Sequence, residues 1–192
     1  MDAISRLLAE LPKQTLILIT GNAYTLPFHV GIEVIKRYFN NFKWYFVVEG
    51  LIGRYLGIIR DHFNIAKNDI EFIGDLCGGL KELSGIIGSE GDLVYIVINS
   101  STKCINDYID MLAKRPLDVR SIIVVQVDED LSKPFTYLAD LIIRLRVVED
   151  VNSLKTISRV AKLITTGARG SELVLNYNVT ATGITFEEFL RI

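Results

Sequence analysis

Apolar residues along the chain fall into short runs rich in Ile and Val, separated by stretches with helical spacing. Thr15–Thr20, Val94–Ile98, Ser121–Val125 and Leu141–Leu145 are apolar on both faces, as strands of a helix-covered parallel sheet are. Thr15–Thr20 reads as a strand ending at Gly21, and Phe28–Asn40 as a helix. In that helix Phe28, Gly31, Ile32, Ile35, Tyr38 and Phe39 share one face, while His29, Glu33, Lys36 and Arg37 take the other. The pattern then predicts strand Lys43–Glu49, helix Leu51–Phe63, a short strand at Ile70–Ile73 and helix Leu76–Ile87. Strand Leu93–Asn99, helix Cys104–Lys114 and strand Arg120–Val127 follow. Such β-α alternation predicts a doubly wound α/β sheet with right-handed crossovers. After Asp128 the rhythm changes: Tyr137–Val148, Leu154–Ile164 and Glu172–Asn176 read as strands joined by turns without intervening helices. The last third is therefore expected to lay antiparallel strands on one edge. No repeat, low-complexity stretch or linker interrupts residues 1–192, which read as one domain.

Composition narrows the classes. Hydrophobic residues make up 49% of the 192, which excludes a disordered chain. Mean hydropathy is +0.32, yet each apolar run is about five or six residues, against the roughly 20 a membrane-spanning helix needs. The opening MDAISRLLAE carries charges of both signs and lacks a long apolar core, so no signal peptide is expected. The default is a soluble, cytoplasmic protein without a membrane partner, its Cys77 and Cys104 unpaired thiols in a reducing compartment. Those cysteines lack a metal-ligand spacing, so no metal is expected. Scarce Gln (Gln14 and Gln126) points to a thermophilic source, although the Asn content weakens it. With 21 basic against 23 acidic residues, the net charge of −2 offers no long-range attraction for nucleic acid. Lys36-Arg37-Tyr38-Phe39 with Lys43-Trp44-Tyr45 forms one local nucleic-acid candidate, whose aromatics are more economically read as core.

Candidate chemistry centres on the turn after the first strand. A phosphate-binding loop, G-x-x-x-x-G-K-[ST], uses its glycines to let backbone N–H groups wrap phosphates, its Lys to neutralise charge and its hydroxyl to hold Mg²⁺. Here the eight residues are Gly21, Asn22, Ala23, Tyr24, Thr25, Leu26, Pro27 and Phe28. Only the first glycine remains. Leu26 adds a Cβ, Pro27 removes both cation and donor, and Phe28 cannot ligate a metal. Pro27 is well placed to open a helix, so the segment reads either as a decayed phosphate loop or as an ordinary β-α turn.

The longer pattern resembles the RecA/RadA superfamily, most closely its KaiC-like and RadA-paralogue branch. Ile4 through Gly21 is similar to the stretch leading into that branch's phosphate loop, and Tyr45-Phe-Val-Val-Glu49 to the strand ending in a catalytic Glu. Asp92 through Ser100 resembles the Walker B strand, and Tyr137-Leu-Ala-Asp-Leu-Ile-Ile-Arg-Leu145 a later "YLADVVIRL" strand. Arg159-Val-Ala-Lys162 resembles a strand carrying a Lys near the neighbouring subunit's nucleotide, and Gly183-Ile-Thr the closing strand. The resemblance implies a three-layer RecA-like fold of the P-loop NTPase type, with a mainly parallel central sheet, helices on both faces and antiparallel strands near the C-terminus.

It also assigns a set of relic nucleotide-site positions: Gly21, Thr25, Pro27, Phe28, Glu49, Asn99 and Lys162. The metal-holding acid of Walker B falls at Asn99, a neutral amide. Glu49 otherwise reads as a polar residue capping the helix expected at Leu51. Lys162 otherwise reads as a solvated strand residue. Tyr24 and Thr25 could contact a base or phosphate or belong to a surface loop, and His29 and His62 are assigned no catalysis. The resulting expectation is a non-catalytic RecA-fold subunit without a cofactor, assembling with other RecA-fold subunits, as a RadA paralogue in recombination and repair or like the inactive subunits of the Elongator accessory ring. DNA would be an indirect partner. Two alternatives stand: an enzyme that binds or weakly hydrolyses ATP without tightly held Mg²⁺, and a nucleic-acid-binding accessory module.

Overall fold

Seven consecutive buried residues, Gln14–Thr20, form β1 at the axis of the molecule. In the computed structural model, residues 3–39, 42–49, 55–59, 70–149, 157–167, 170–180 and 183–188 are described. They give, in order, α1 (Ala3–Leu8), β1, α2 (Pro27–Tyr38), β2 (Lys43–Val48), α3 (55–59), β3 (Ile70–Ile73), α4 (Leu80–Ile87) and β4 (Asp92–Ile98). There follow α5 (Ile105–Ala113), β5 (Ser121–Val127), α6 (Ser132–Thr136), β6 (Leu141–Glu149), β7 (Ile157–Thr165), β8 (Glu172–Thr180) and β9 (Gly183–Glu188). The strands make one nine-stranded sheet in the order β3-β2-β4-β5-β1-β6-β7-β8-β9. Pairing is parallel from β3 to β6 and antiparallel from β6 to β9.

Strand alternation divides the core in two. Ile17 and Ile19 of β1 pack with Phe28, Ile32 and Ile35 of α2 on one face, together with Leu145, Leu163 and Tyr177 of the antiparallel strands. Leu16 and Leu18 face Leu83 of α4, Tyr108 and Leu112 of α5, and Phe135 of α6 on the other. The helices thus cover both faces of the parallel part, and the expected three layers are present. Close approach of α2 depends on Gly31, where a Cβ would collide with the Tyr95 hydroxyl and Ile19. Trp44 and Tyr45 are buried, in keeping with their reading as core.

Register sets up the surface that matters for function. Thr20 of β1 lies beside Val127 of β5, and Val127 beside Ile98 of β4. Gly21, Asp128 and Asn99 therefore leave the sheet at one level, along the carboxyl edge where open α/β sheets place ligands. On the other side Thr20 pairs with Arg144, and β6 runs five residues further, to Glu149. Paired with β7 as far as Glu149–Ile157, it forms a flange standing beyond that edge.

Several expectations need correction. The helix expected from Leu76 begins at Leu80, because the Asp75 carboxylate accepts the Cys77 and Gly78 N–H groups and holds 76–79 as turns. The strand expected from Tyr137 begins at Leu141, and the short α6 intervenes after Asp128. Asp140 bridges to β1 instead: its N–H donates to the Leu16 carbonyl, and its carboxylate accepts the Leu16 N–H at 2.8 Å. Of the helix expected over Leu51–Phe63, residues 55–59 are helical; 51–54 and 60–63, with His62, lie outside the described residues.

The largest correction concerns the cysteines. Cys77 and Cys104, expected as unpaired thiols, form a disulfide with Cα atoms 5.6 Å apart. They are 27 residues apart in the chain, and only the fold brings the turn after β3 against the start of α5. The thiol argument for a reducing compartment therefore falls. No helix of the described residues is long and apolar enough to cross a membrane.

Candidate functional site

The turn after β1 folds onto itself. Residues Ala23–Thr25 make a single 3-10 turn, capped by the Asn22 carboxamide, which accepts the Tyr24 N–H at 3.1 Å. The Thr25 N–H donates to the Asn22 carbonyl at 3.0 Å, and the Leu26 N–H to the Ala23 carbonyl at 3.3 Å. Pro27 has no N–H. Across Tyr24–Pro27, therefore, every backbone donor is spent internally or missing, where a phosphate loop must aim donors outward. The fully buried Thr25 donates its hydroxyl to the Asn22 carbonyl at 2.6 Å, which also withdraws it from any ligand.

The carbonyls are taken from outside the turn. The Arg159 guanidinium donates to the Tyr24 carbonyl at 3.1 Å, and the Tyr177 hydroxyl to the Thr25 carbonyl at 2.7 Å. Burial pushes the Tyr177 phenol up to about 12, against the opposing influence of Arg159 and its bond to Thr25. Two strands of the C-terminal sheet thus clamp the turn. Gly21 survives for a packing reason: a Cβ there would run into the Thr25 hydroxyl and the Leu145 side chain.

Leu26 and Phe28 set how the turn enters α2. Leu26 is left-handed, with φ 52° and ψ 56°, the only non-glycine residue with positive φ among those described. It occupies the position of the motif's second glycine, so a backbone suited to glycine persists under a branched side chain at a cost of about 1–2 kcal/mol. Pro27 opens α2 at its first turn. Phe28 then points inward, its ring centroid 4.8 Å from Tyr55, 5.3 Å from Tyr95 and 5.9 Å from Phe46. Where a metal-ligating hydroxyl would stand there is an aromatic cluster, held at its base by the Tyr95 hydroxyl donating to Gln126 at 2.9 Å.

The other positions singled out from the sequence are dispersed. Asn99, at the end of β4, accepts both the Ser101 N–H at 2.9 Å and the Ser101 hydroxyl at 2.5 Å, fixing the turn that leads to Thr102 and the disulfide. Its side-chain oxygen is an anchor for its own loop. Glu49 is exposed after β2, with β4 and β5 between that strand and β1, and the Leu51 it was expected to cap lies outside the described residues. Lys162 lies on β7, on the sheet face opposite Arg159 and Tyr177, and pairs with Glu172 at 2.8 Å. The structure thus gathers Gly21, Thr25, Pro27 and Phe28 in one turn, sets Asn99 and Glu49 along the same edge, and keeps Lys162 away from it.

Sequence reasoning missed Arg159, Tyr177 and Asn22, the groups that close the turn. Arg159 stood in the stretch quoted for Lys162, but strand parity alone does not say which residue of Arg159-Val-Ala-Lys162 faces the loop. The exposed charged groups along the carboxyl edge are mostly acidic, Glu49, Asp75, Asp128, Glu129 and Asp130, with Lys103 in the loop after β4 the basic one beside them. No group of acidic, His or Cys side chains among the described residues is arranged to hold a metal ion.

With this geometry in view, comparison with known proteins places the architecture. No family model matches the chain, and no curated protein matches it in sequence. Solved structures do match in fold. A KaiC-like protein from the hyperthermophilic archaeon Pyrococcus horikoshii superposes with a TM-score of 0.65 at 13% identity, over 90% of this chain and 89% of that one. An uncharacterized protein from Pyrococcus horikoshii, solved in complex with an unknown peptide, gives a TM-score of 0.65 at 11% identity, over 97% and 96% of the two chains. The chain has the RecA-type fold of KaiC-like proteins.

Proposed function

We propose that the chain is a non-catalytic RecA-fold subunit, its architecture kept for protein–protein assembly or regulation and its nucleotide site closed. The observation that carries this reading is the fate of the turn's donors: those of Tyr24–Leu26 are consumed within the turn, Pro27 has none, and Arg159 and Tyr177 hold the carbonyls. Electrostatics acts in the same direction. A triphosphate would approach an edge bearing five exposed carboxylates, with no lysine in the turn to offset them. One of the fold neighbours was solved in complex with an unknown peptide, which supports protein contact as a use of this fold. The resemblance to RadA paralogues makes an active RecA-fold ATPase of recombination and repair the first partner to test, with DNA reached through that partner.

Thermal melting with Mg·ATP tests the closed site. A ligand of Kd near 1 μM present at about 100 μM would add roughly 2.7 kcal/mol, a shift of about 5–10 °C for a chain of this size. The expected result is no shift and no phosphate release. Stabilisation by Mg·ATP, with hydrolysis abolished by Glu49→Gln, would establish the ATPase reading instead.

A further inference from the structure

The helices that cover one face of the parallel strands stop short of β6–β8. On that face α4, α5 and α6 pack over β1 to β5, while the flange beyond carries Arg144, Arg146 and Val148 of β6, Val160 and Lys162 of β7, and Val174 of β8. These six line an open cleft of about 320 Å³. Register places them side by side, since Arg144 pairs with Lys162, Arg146 with Val160, and Lys162 with Val174. Val148 is 47% exposed.

Charge on this face is only partly answered from within. Lys162 meets Glu172 at 2.8 Å, and Arg146 reaches Glu129 at 3.8 Å with both side chains mostly exposed. Half-buried Arg144, in the middle of the cleft, forms no hydrogen bond or ion pair among the described residues. A guanidinium partly withdrawn from water, with no acceptor among the described residues, suits a carboxylate or similar anion. Immediately beside the cleft, on the turn after β5, Asp128, Glu129 and Asp130 are all exposed. The 3.8 Å approach of Glu129 to Arg146 places the middle of the acidic strip at the rim of the basic one. A basic strip adjoining an acidic strip is complementary to its own copy turned about a two-fold axis.

We propose that this face is the docking surface for a second copy of the chain, the Asp128–Asp130 turn of each copy seating its carboxylates on Arg144, Arg146 and Lys162 of the other. The valines supply the apolar floor between the charges, and the Arg144 guanidinium, without a partner among the described residues, gains an acceptor at the centre. Each protomer gives one acidic turn and receives one, so both contacts form together. The inference rests on the reading of the chain as an assembly subunit and names one surface and one occupant for it.

Sedimentation velocity on the full chain, at about 20 mM and about 500 mM salt, is the test. The wild type is expected to dimerise at low salt and to weaken at least tenfold at high salt. Arg144→Glu/Arg146→Glu and, separately, Asp128→Lys/Glu129→Lys/Asp130→Lys should each be monomeric. The second variant changes exposed turn residues only and guards against a folding failure in the first; circular dichroism checks both. Mixed in equal amounts, the two variants should recover the dimer, because each then meets the opposite charge at both contacts. A wild type monomeric at low salt, self-association that survives both reversals, or folded variants that fail to pair on mixing would each overturn the proposal. The nucleotide-melting result is unaffected by any of these outcomes, so failure here is distinguishable from failure of the closed-site reading.

Discussion

At the carboxyl edge the turn after β1 spends the Tyr24–Leu26 amides on itself, Asn99 anchors its own loop, and a disulfide ties the start of α5 to the turn after β3. The neighbouring β6–β8 face does the reverse: it leaves Arg144 unpaired among the described residues and three valines without a covering helix. Both regions flank the same strand, since β1 feeds the turn and pairs with β6. The contrast teaches where polar groups stand available. Polar groups that bind something must be held ready and unspent, and in this molecule such groups lie on the sheet face rather than in the Tyr24–Leu26 backbone.

The sharpest way to break that contrast is to try to reopen the loop. Phe28→Ser restores the hydroxyl of the phosphate-loop motif but removes a buried ring from the Tyr55, Tyr95 and Phe46 cluster. Large-to-small substitution of a buried Phe costs about 3–5 kcal/mol, or roughly 10 °C in melting temperature here. Adding Pro27→Lys returns the cation as well. The expected outcome for the double variant is a destabilised protein that still gains no affinity for Mg·ATP by calorimetry, since the turn's donors remain committed. Tight binding would mean the side chains alone had closed the site.

Next in size is the covalent tie. Closing a loop of the 27-residue span between Cys77 and Cys104 stabilises by roughly 3–4 kcal/mol in the chain-entropy model. Cys77→Ser/Cys104→Ser should therefore melt about 7–14 °C below the oxidised wild type, and added reductant should lower the wild type but not the variant. The same reduction is expected to leave dimerisation through β6–β8 unchanged, because neither cysteine lines the cleft. A dimer that depends on the oxidation state would show the two regions to be coupled.

The smallest effect concerns the backbone at Leu26. At φ 52° a glycine escapes the left-handed penalty that any Cβ incurs. Leu26→Gly should therefore be more stable than Leu26→Ala by about 1 kcal/mol in denaturant unfolding, the reverse of the order at a helical position. Equal stabilities would mean that the left-handed geometry carries no cost here.

The sequence by itself settled the alternation of strand and helix from β1 to β5, the antiparallel character of the last third and the absence of a Lys and a hydroxyl at Pro27 and Phe28. These are local or periodic properties: a run of Ile and Val apolar on both faces, or a residue type at a fixed spacing, is visible without a partner. It placed the start of α4 and β6 too early, because the Asp75 turn and the Asp140 bridge to Leu16 depend on side-chain acceptors rather than on hydrophobic period. Only the tertiary structure decided that Arg159 holds the turn while Lys162 faces away from it, that Cys77 meets Cys104, and that Arg144, beside an acidic strip, has no partner among the described residues. Each of those facts joins residues far apart in the chain. Which face a strand residue takes, and which loop it finds there, is fixed by register and packing rather than by residue type.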